Sequence, residues 1–302
     1  MSSKELQKLT TVEQIVIERK KAGLKRNFTQ VGNTIMFEFK KNLKSFLIML
    51  IVFLTVFILF LAISELQLAQ DVELPDDPIN YVSSYMGFLG FLIIISAAML
   101  GGSIIVEDFK KQTGNLLFPK ISKTRLLIGR LTARYILNAI CVCFYYILIG
   151  SLTLIKYNEL PIELWSSMGW ALLYTFMLLT FVTFMSSIMR STSATIIVSI
   201  LFYLIVFNMI TMILSFAGLT IEPLFMLTYY EGIITGSLSM PDPRYAEIRM
   251  PTPGGGGGGE FATFTQWITP AEPAAFIGML IYASVFLALA YFIYKRKQSK
   301  NA

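Results

Sequence analysis

"SFLIMLIVFLTVFILFLAIS", residues 45–64, carries no charged side chain and no Pro or Gly to interrupt it. About 20 apolar residues, at a helical rise of about 1.5 Å each, match a hydrocarbon core roughly 30 Å thick. Five further stretches read the same way: 81–106, 131–155, 167–188, 194–218 and 273–294. The chain of 302 residues is 55% hydrophobic and 15% charged, whereas soluble domains run nearer a quarter charged. The expected fold is therefore an all-α polytopic membrane protein with six transmembrane helices. The transmembrane domain covers 45–294, preceded by a cytoplasmic amphipathic region at 1–44 and followed by a basic tail at 295–302.

Charge orients the bundle. An even number of spans puts both termini on one side, and that side holds 22 of the 25 Lys and Arg. Only Lys156, Arg244 and Arg249 lie on the other, where 13 of the 19 acids sit. The positive-inside bias predicts cytoplasmic termini in a multi-pass protein of the cell membrane. The cations flank spans, so the basic balance reflects orientation and predicts no nucleic-acid partner.

Several function classes drop out. The chain has no His, which removes imidazole catalysis, imidazole metal ligands and imidazole proton relays. Cys141 and Cys143 share one span, and a separation of two residues turns them roughly 200° apart on a helix. They read as packing residues, so no metal site and no catalytic residue is expected. The polar, basic first 44 residues do not resemble a cleavable leader. No Asp, Glu, Lys or Arg falls at the centre of a span; Glu107, Asp108, Arg130 and Arg134 fall at the inner edge. Ion-coupled carriers place such groups at depth, so movement of a cargo would draw its energy from elsewhere.

The flanking pieces carry patterns. Leu6, Leu9, Val12 and Val16 recur at helical spacing, and Phe28, Val31, Ile35, Phe39 and Leu43 continue an apolar stripe edged by Lys40, Lys41 and Lys44. A basic amphipathic helix before a span suits the lipid interface, and also docking on a partner. Ala97 with Gly101 and Ala98 with Gly102 are overlapping small-residue pairs that let helices approach closely. They are expected to serve packing first and a pathway or dimer seam second. Tyr203 and Phe207, in the aromatic and Met-rich fifth span, are candidates for the same packing or path role. The external segment 219–272 contains Gly254–Gly259. No Lys-Ser/Thr follows these glycines, so they read as a flexible linker and not a phosphate loop. Ahead of them "IEPLFMLTYYEGIITGSL" (221–238) is apolar enough to lie in the outer leaflet or to cap the spans, and Pro270 and Pro273 open the last helix.

The connector 107–130, "EDFKKQTGNLLFPKISKTRLLIGR", holds more than a tether needs. Glu107 and Asp108 suit the start of a short helix, Gly114 a reversal, and Ser122 a cap on the third span. Leu116, Leu117 and Phe118 form an apolar knob that ends at Pro119, within a rim of Lys110, Lys111, Lys120, Lys123 and Arg125. Such a knob fits a groove on another protein; a loop held to anionic lipid fits as well.

The order Glu107, Thr113-Gly114, Leu116-Leu117, Pro119, Ser122 and "LLIGR" resembles the connector of ATP-binding-cassette (ABC) transporter permeases of type 2. Lys123, Arg130 and the Thr-Gly order depart from the commoner Arg, Lys and Gly-Thr. The stretch with Glu38 resembles that family's elbow helix, and "WITPAEP" its Pro-containing re-entry. The resemblance implies a six-span exporter subunit that pairs with a second copy and with two separate ATPase subunits. Those partners would bind ATP and Mg; this chain has no Walker motif and is expected to be no enzyme and to hold no cofactor. The resemblance makes Glu107, Phe109, Thr113, Gly114, Leu116, Leu117, Phe118, Pro119, Ser122 and Lys123 the coupling surface, and the second and fifth spans the lining of the path. Two other classes compete. A membrane-embedded enzyme would need a catalytic constellation that the spans lack. A scaffold or regulatory subunit would bind an extracellular partner through 219–272.

Overall fold

The computed structural model describes residues 3–70, 75–110, 123–216, 221–251 and 261–299. Among them, six helices are long and apolar enough to cross a membrane. We number these spans in chain order: Thr29–Leu68, Pro78–Phe109, Thr124–Tyr157, Glu163–Ile188, Thr192–Thr211 and Glu272–Lys297. Most overrun the uncharged runs at the end of the bundle where the termini lie. That extension carries Glu38, Arg130 and Arg134 in buried positions, which becomes affordable once the charges pair.

Span 1 belongs to one uninterrupted helix, Ser3–Leu68. The amphipathic stretch 29–44 is therefore no separate elbow, because it continues helically into the membrane run. Its buried line is the polar set Thr34, Glu38 and Asn42, while Leu43 of the apolar stripe is exposed. Polar residues turn inward here because they meet span 3.

Span 2 starts on a capped turn, with Asp77 Oδ1 accepting from the Ile79 amide at 2.9 Å and Pro78 at the first helical position. It is interrupted at Gly102–Ile105, after which a short helix, Val106–Lys110, carries Glu107 and Asp108 in its first turn. The Ser186 hydroxyl of span 4 repairs the break, accepting from the amides of Ile105 and Val106 (3.1 and 3.2 Å) and donating to the Gly102 carbonyl at 3.1 Å. Span 5 contains a π-helical segment, Phe202–Phe207, a feature that often marks functional sites.

Spans 2 and 4 form the centre, and spans 1, 5 and 6 turn much of their apolar surface outward. Tyr145 shows how the spans lock laterally. Its ring packs edge-on against Phe53 at 5.9 Å, and its hydroxyl donates to the Tyr85 carbonyl at 2.7 Å. In lipid, such packing and interhelical hydrogen bonding do the work that water-driven burial does elsewhere.

The segment after span 5 caps the bundle. A 3₁₀ turn, Thr228–Glu231, and a short helix, Gly232–Gly236, bury Ile233 and Ile234, and the Ser167 hydroxyl of span 4 donates to the Ile234 carbonyl at 2.7 Å. Beyond it lies an antiparallel hairpin that sequence patterning did not predict. Strands β1 (Tyr245–Pro251) and β2 (Phe261–Trp267) pair Tyr245 with Trp267 and Pro251 with Phe261. Gly254–Gly259 fall outside the described residues.

Candidate functional site

At the termini end of the bundle, four buried ionic side chains from three parts of the chain converge. Glu38 comes from span 1, Asp108 from the short helix that ends span 2, and Arg130 and Arg134 from span 3. Backbone proximity sets the meeting point. A Cβ on Gly129 would stand 2.9 Å from Cβ and Cγ2 of Thr34, so glycine is what lets span 3 touch span 1 here. The neighbouring position then delivers Arg130 to the junction, and Arg134 follows one turn later on the same face.

Asp108 and Arg130 form a two-pronged pair, with Nη1 to Oδ2 and Nη2 to Oδ1 both at 2.8 Å. Tyr294 of span 6 donates to Asp108 Oδ2 at 2.7 Å, and Arg130 Nη1 also reaches the Ile104 carbonyl at 2.8 Å. Arg134 Nη2 contacts Glu38 Oε2 at 3.0 Å and Ser103 Oγ at 3.1 Å. Asn42 Nδ2 donates to the Glu38 carbonyl at 2.7 Å and to its Oε2 at 3.2 Å. Lys41 bonds Glu107 and lies 3.9 Å from Glu38. Among these six paired side chains three acids face three bases, so their charges balance. Charge-assisted, two-pronged pairing of this kind offsets the cost of burial.

Among the described residues, the Nε of Arg130 and that of Arg134 find no hydrogen-bond acceptor. Arg130 Nε lies 3.3 Å from Glu38 Oε1, close enough for attraction but without hydrogen-bond alignment. Buried orphan donors carry a free-energy cost, so each arginine holds bonding capacity that this arrangement does not use.

Of the expected coupling residues, the structure brings Glu107 and Phe109 to this junction. Phe109 meets the Tyr294 ring edge-on at 5.9 Å, and Lys297 Nζ sits 5.7 Å from the centre of the Phe109 ring. Lys123 opens the helix of span 3. Thr113, Gly114, Leu116, Leu117, Phe118, Pro119 and Ser122 lie outside the described residues. Arg125, at the rim, donates to Gln30 Oε1 at 2.8 Å. Ala97 and Ala98 are fully buried, Gly101 lies against Leu179 and Val182 of span 4, and Gly102 against Ile196 of span 5. Tyr203 and Phe207 sit apart from the junction, on the π segment of span 5. The Tyr203 hydroxyl pairs with that of Tyr174 at 2.8 Å and donates to Glu231, while Phe207 packs against Phe181 at 6.4 Å.

The pairing of Glu38 with Arg134 across 96 residues was not foreseen from sequence. The available signal was an acid in an amphipathic stretch and two arginines one turn apart at a span edge.

Among the described residues no three His, Cys, Asp or Glu are grouped to hold a metal ion. The junction ties the root of the connector to spans 1, 3 and 6. Comparison with curated proteins returned no match. The family described as "ABC-2 family transporter protein" matches residues 63–230, more than half of the 302-residue chain. Six membrane-crossing helices and a matched transporter domain reach the same conclusion, that this chain belongs to the ABC-2 transporter family and is a multi-pass permease subunit of an ABC transporter.

Proposed function

We propose that the chain is the membrane subunit of an ATP-driven exporter, working as a homodimer with cytoplasmic termini and taking its force from separate ATPase subunits through 107–122. The observation that carries this reading is the buried Asp108–Arg130 pair. Asp108 stands at the root of the connector and is tied at once to span 3 and, through Tyr294, to span 6. A push on the connector therefore reaches the bundle as rigid displacement and does not dissipate in a slack loop. Two packed arrangements, exchanged by the nucleotide state of the ATPases, would give alternating access.

The path would run between protomers. Span 2 carries a partly exposed stripe of Phe91, Ile95 and Met99, and span 5 exposes Ile197, Leu201 and Ile205 at helical spacing, apolar surfaces that support this reading. ATP and Mg belong to the partner subunits, and membrane lipid surrounds the outward faces of spans 1 and 6. An extracellular partner at 219–272 is an additional role for the hairpin.

Replacing both Leu116 and Phe118 with Asp tests the coupling surface. Membrane insertion and fold should persist while the ATPase no longer co-purifies; normal ATPase recovery would refute the proposal.

A further inference from the structure

At the end of the bundle opposite the termini, spans 2 and 5 and the cap enclose a cavity of about 310 Å³. Glu231 lines it, together with Tyr203, Phe91, Asn208, Gln266 and Trp267. The Glu231 carboxylate lies directly over Gly90, where a Cβ would stand 2.0 Å from its Cδ. Among the described residues its one polar partner is the Tyr203 hydroxyl, which donates to Oε2. Among the described residues no Lys or Arg lines the cavity. Arg244, the residue just before β1, is engaged elsewhere, bonded to Glu222 at 2.9 Å and set 5.6 Å from the Trp267 ring centre.

A carboxylate largely withdrawn from solvent, as Glu231 is, with a single neutral partner is costly unless a cation or a proton joins it. Burial accordingly raises the Glu231 pKa, and the Tyr203 bond offsets only part of that rise. The aromatic walls supply what an organic cation uses besides charge, namely ring faces and apolar contact. The volume lies at the small end of ligand pockets.

We infer that this cavity binds a monovalent organic ammonium with an apolar body, its cationic nitrogen at Glu231 and its body against Phe91 and Trp267. The site makes no use of the ATPase, so its test leaves the coupling surface untouched.

The probe is an N-methylated dimethylaminostyrylpyridinium dye, whose fixed charge does not titrate, compared with its unmethylated neutral parent at about pH 8. Both are titrated by fluorescence against the full chain in phosphatidylcholine nanodiscs, with empty nanodiscs subtracted. The cationic dye should bind about ten-fold tighter than the parent, and Glu231→Gln should abolish that preference while binding of the parent is kept. Equal binding of the two dyes by the wild-type chain would overturn the inference, whatever the variant does. So would an undiminished charge preference in a folded Glu231→Gln protein.

Discussion

Removing one side of the Asp108–Arg130 pair should cost far more than removing both. Asp108→Leu deletes two bonds at 2.8 Å to Arg130 and one at 2.7 Å from Tyr294. Stranding one member of a buried ion pair costs about 3–5 kcal/mol. Arg130 keeps the Ile104 carbonyl at 2.8 Å and Glu38 at 3.3 Å, which places the cost at the lower end, about 3 kcal/mol. That is roughly a 150-fold shift in the unfolding equilibrium. Arg130→Met leaves Asp108, among the described residues, with the Tyr294 hydroxyl as its side-chain partner, and a similar cost follows. The double variant replaces the pair by apolar side chains of comparable bulk, and such replacements are often close to neutral. It should therefore cost far less than either single change, a departure from additivity of about 6 kcal/mol, the sum of the two single costs. Equilibrium unfolding in mixed micelles with a rising fraction of denaturing detergent measures all four proteins. Additive costs, with no coupling, would refute the reasoning, because the pair would then contribute nothing beyond its separate parts.

Two other perturbations follow from single close contacts. Gly129→Ala places a methyl 2.9 Å from Thr34 and should destabilise by about 1–3 kcal/mol; Thr34→Ala should recover part of this in the same unfolding assay. The Glu231 pKa is raised in the folded protein by burial, so the neutral form is favoured there and its stabilising contribution is complete below the ordinary value of 4.5. That contribution is lost as pH rises through the raised folded value, so wild type should lose thermal stability over that window while Glu231→Gln does not. Parallel pH profiles for the two proteins would contradict it.

Six spans and a connector of unusual composition were legible in sequence because hydropathy and charge bias are properties of contiguous residues. The bounds of the spans were less legible. Uncharged runs stop at Lys44 and Leu131, whereas the helices carry on through Glu38 and Arg130 because partners on other helices neutralise them. The hairpin also escaped prediction, since its strands, β1 at Tyr245–Pro251 and β2 at Phe261–Trp267, are short and join across a Gly-rich stretch.

What the sequence by itself determined is membership of the membrane: runs such as 45–64 have nowhere to go but lipid, and the cations gather at one end. Which charges meet was decided only by the tertiary structure. Glu38 looked like one acid on an amphipathic face until span 3 came against it at Gly129, and nothing in the apolar segment 221–238 singled out Glu231 until the cap folded it over Gly90. The physical reason is that transfer of a helix into lipid sums local side-chain terms along the chain, whereas burial of a charge depends on which faces of distant helices touch.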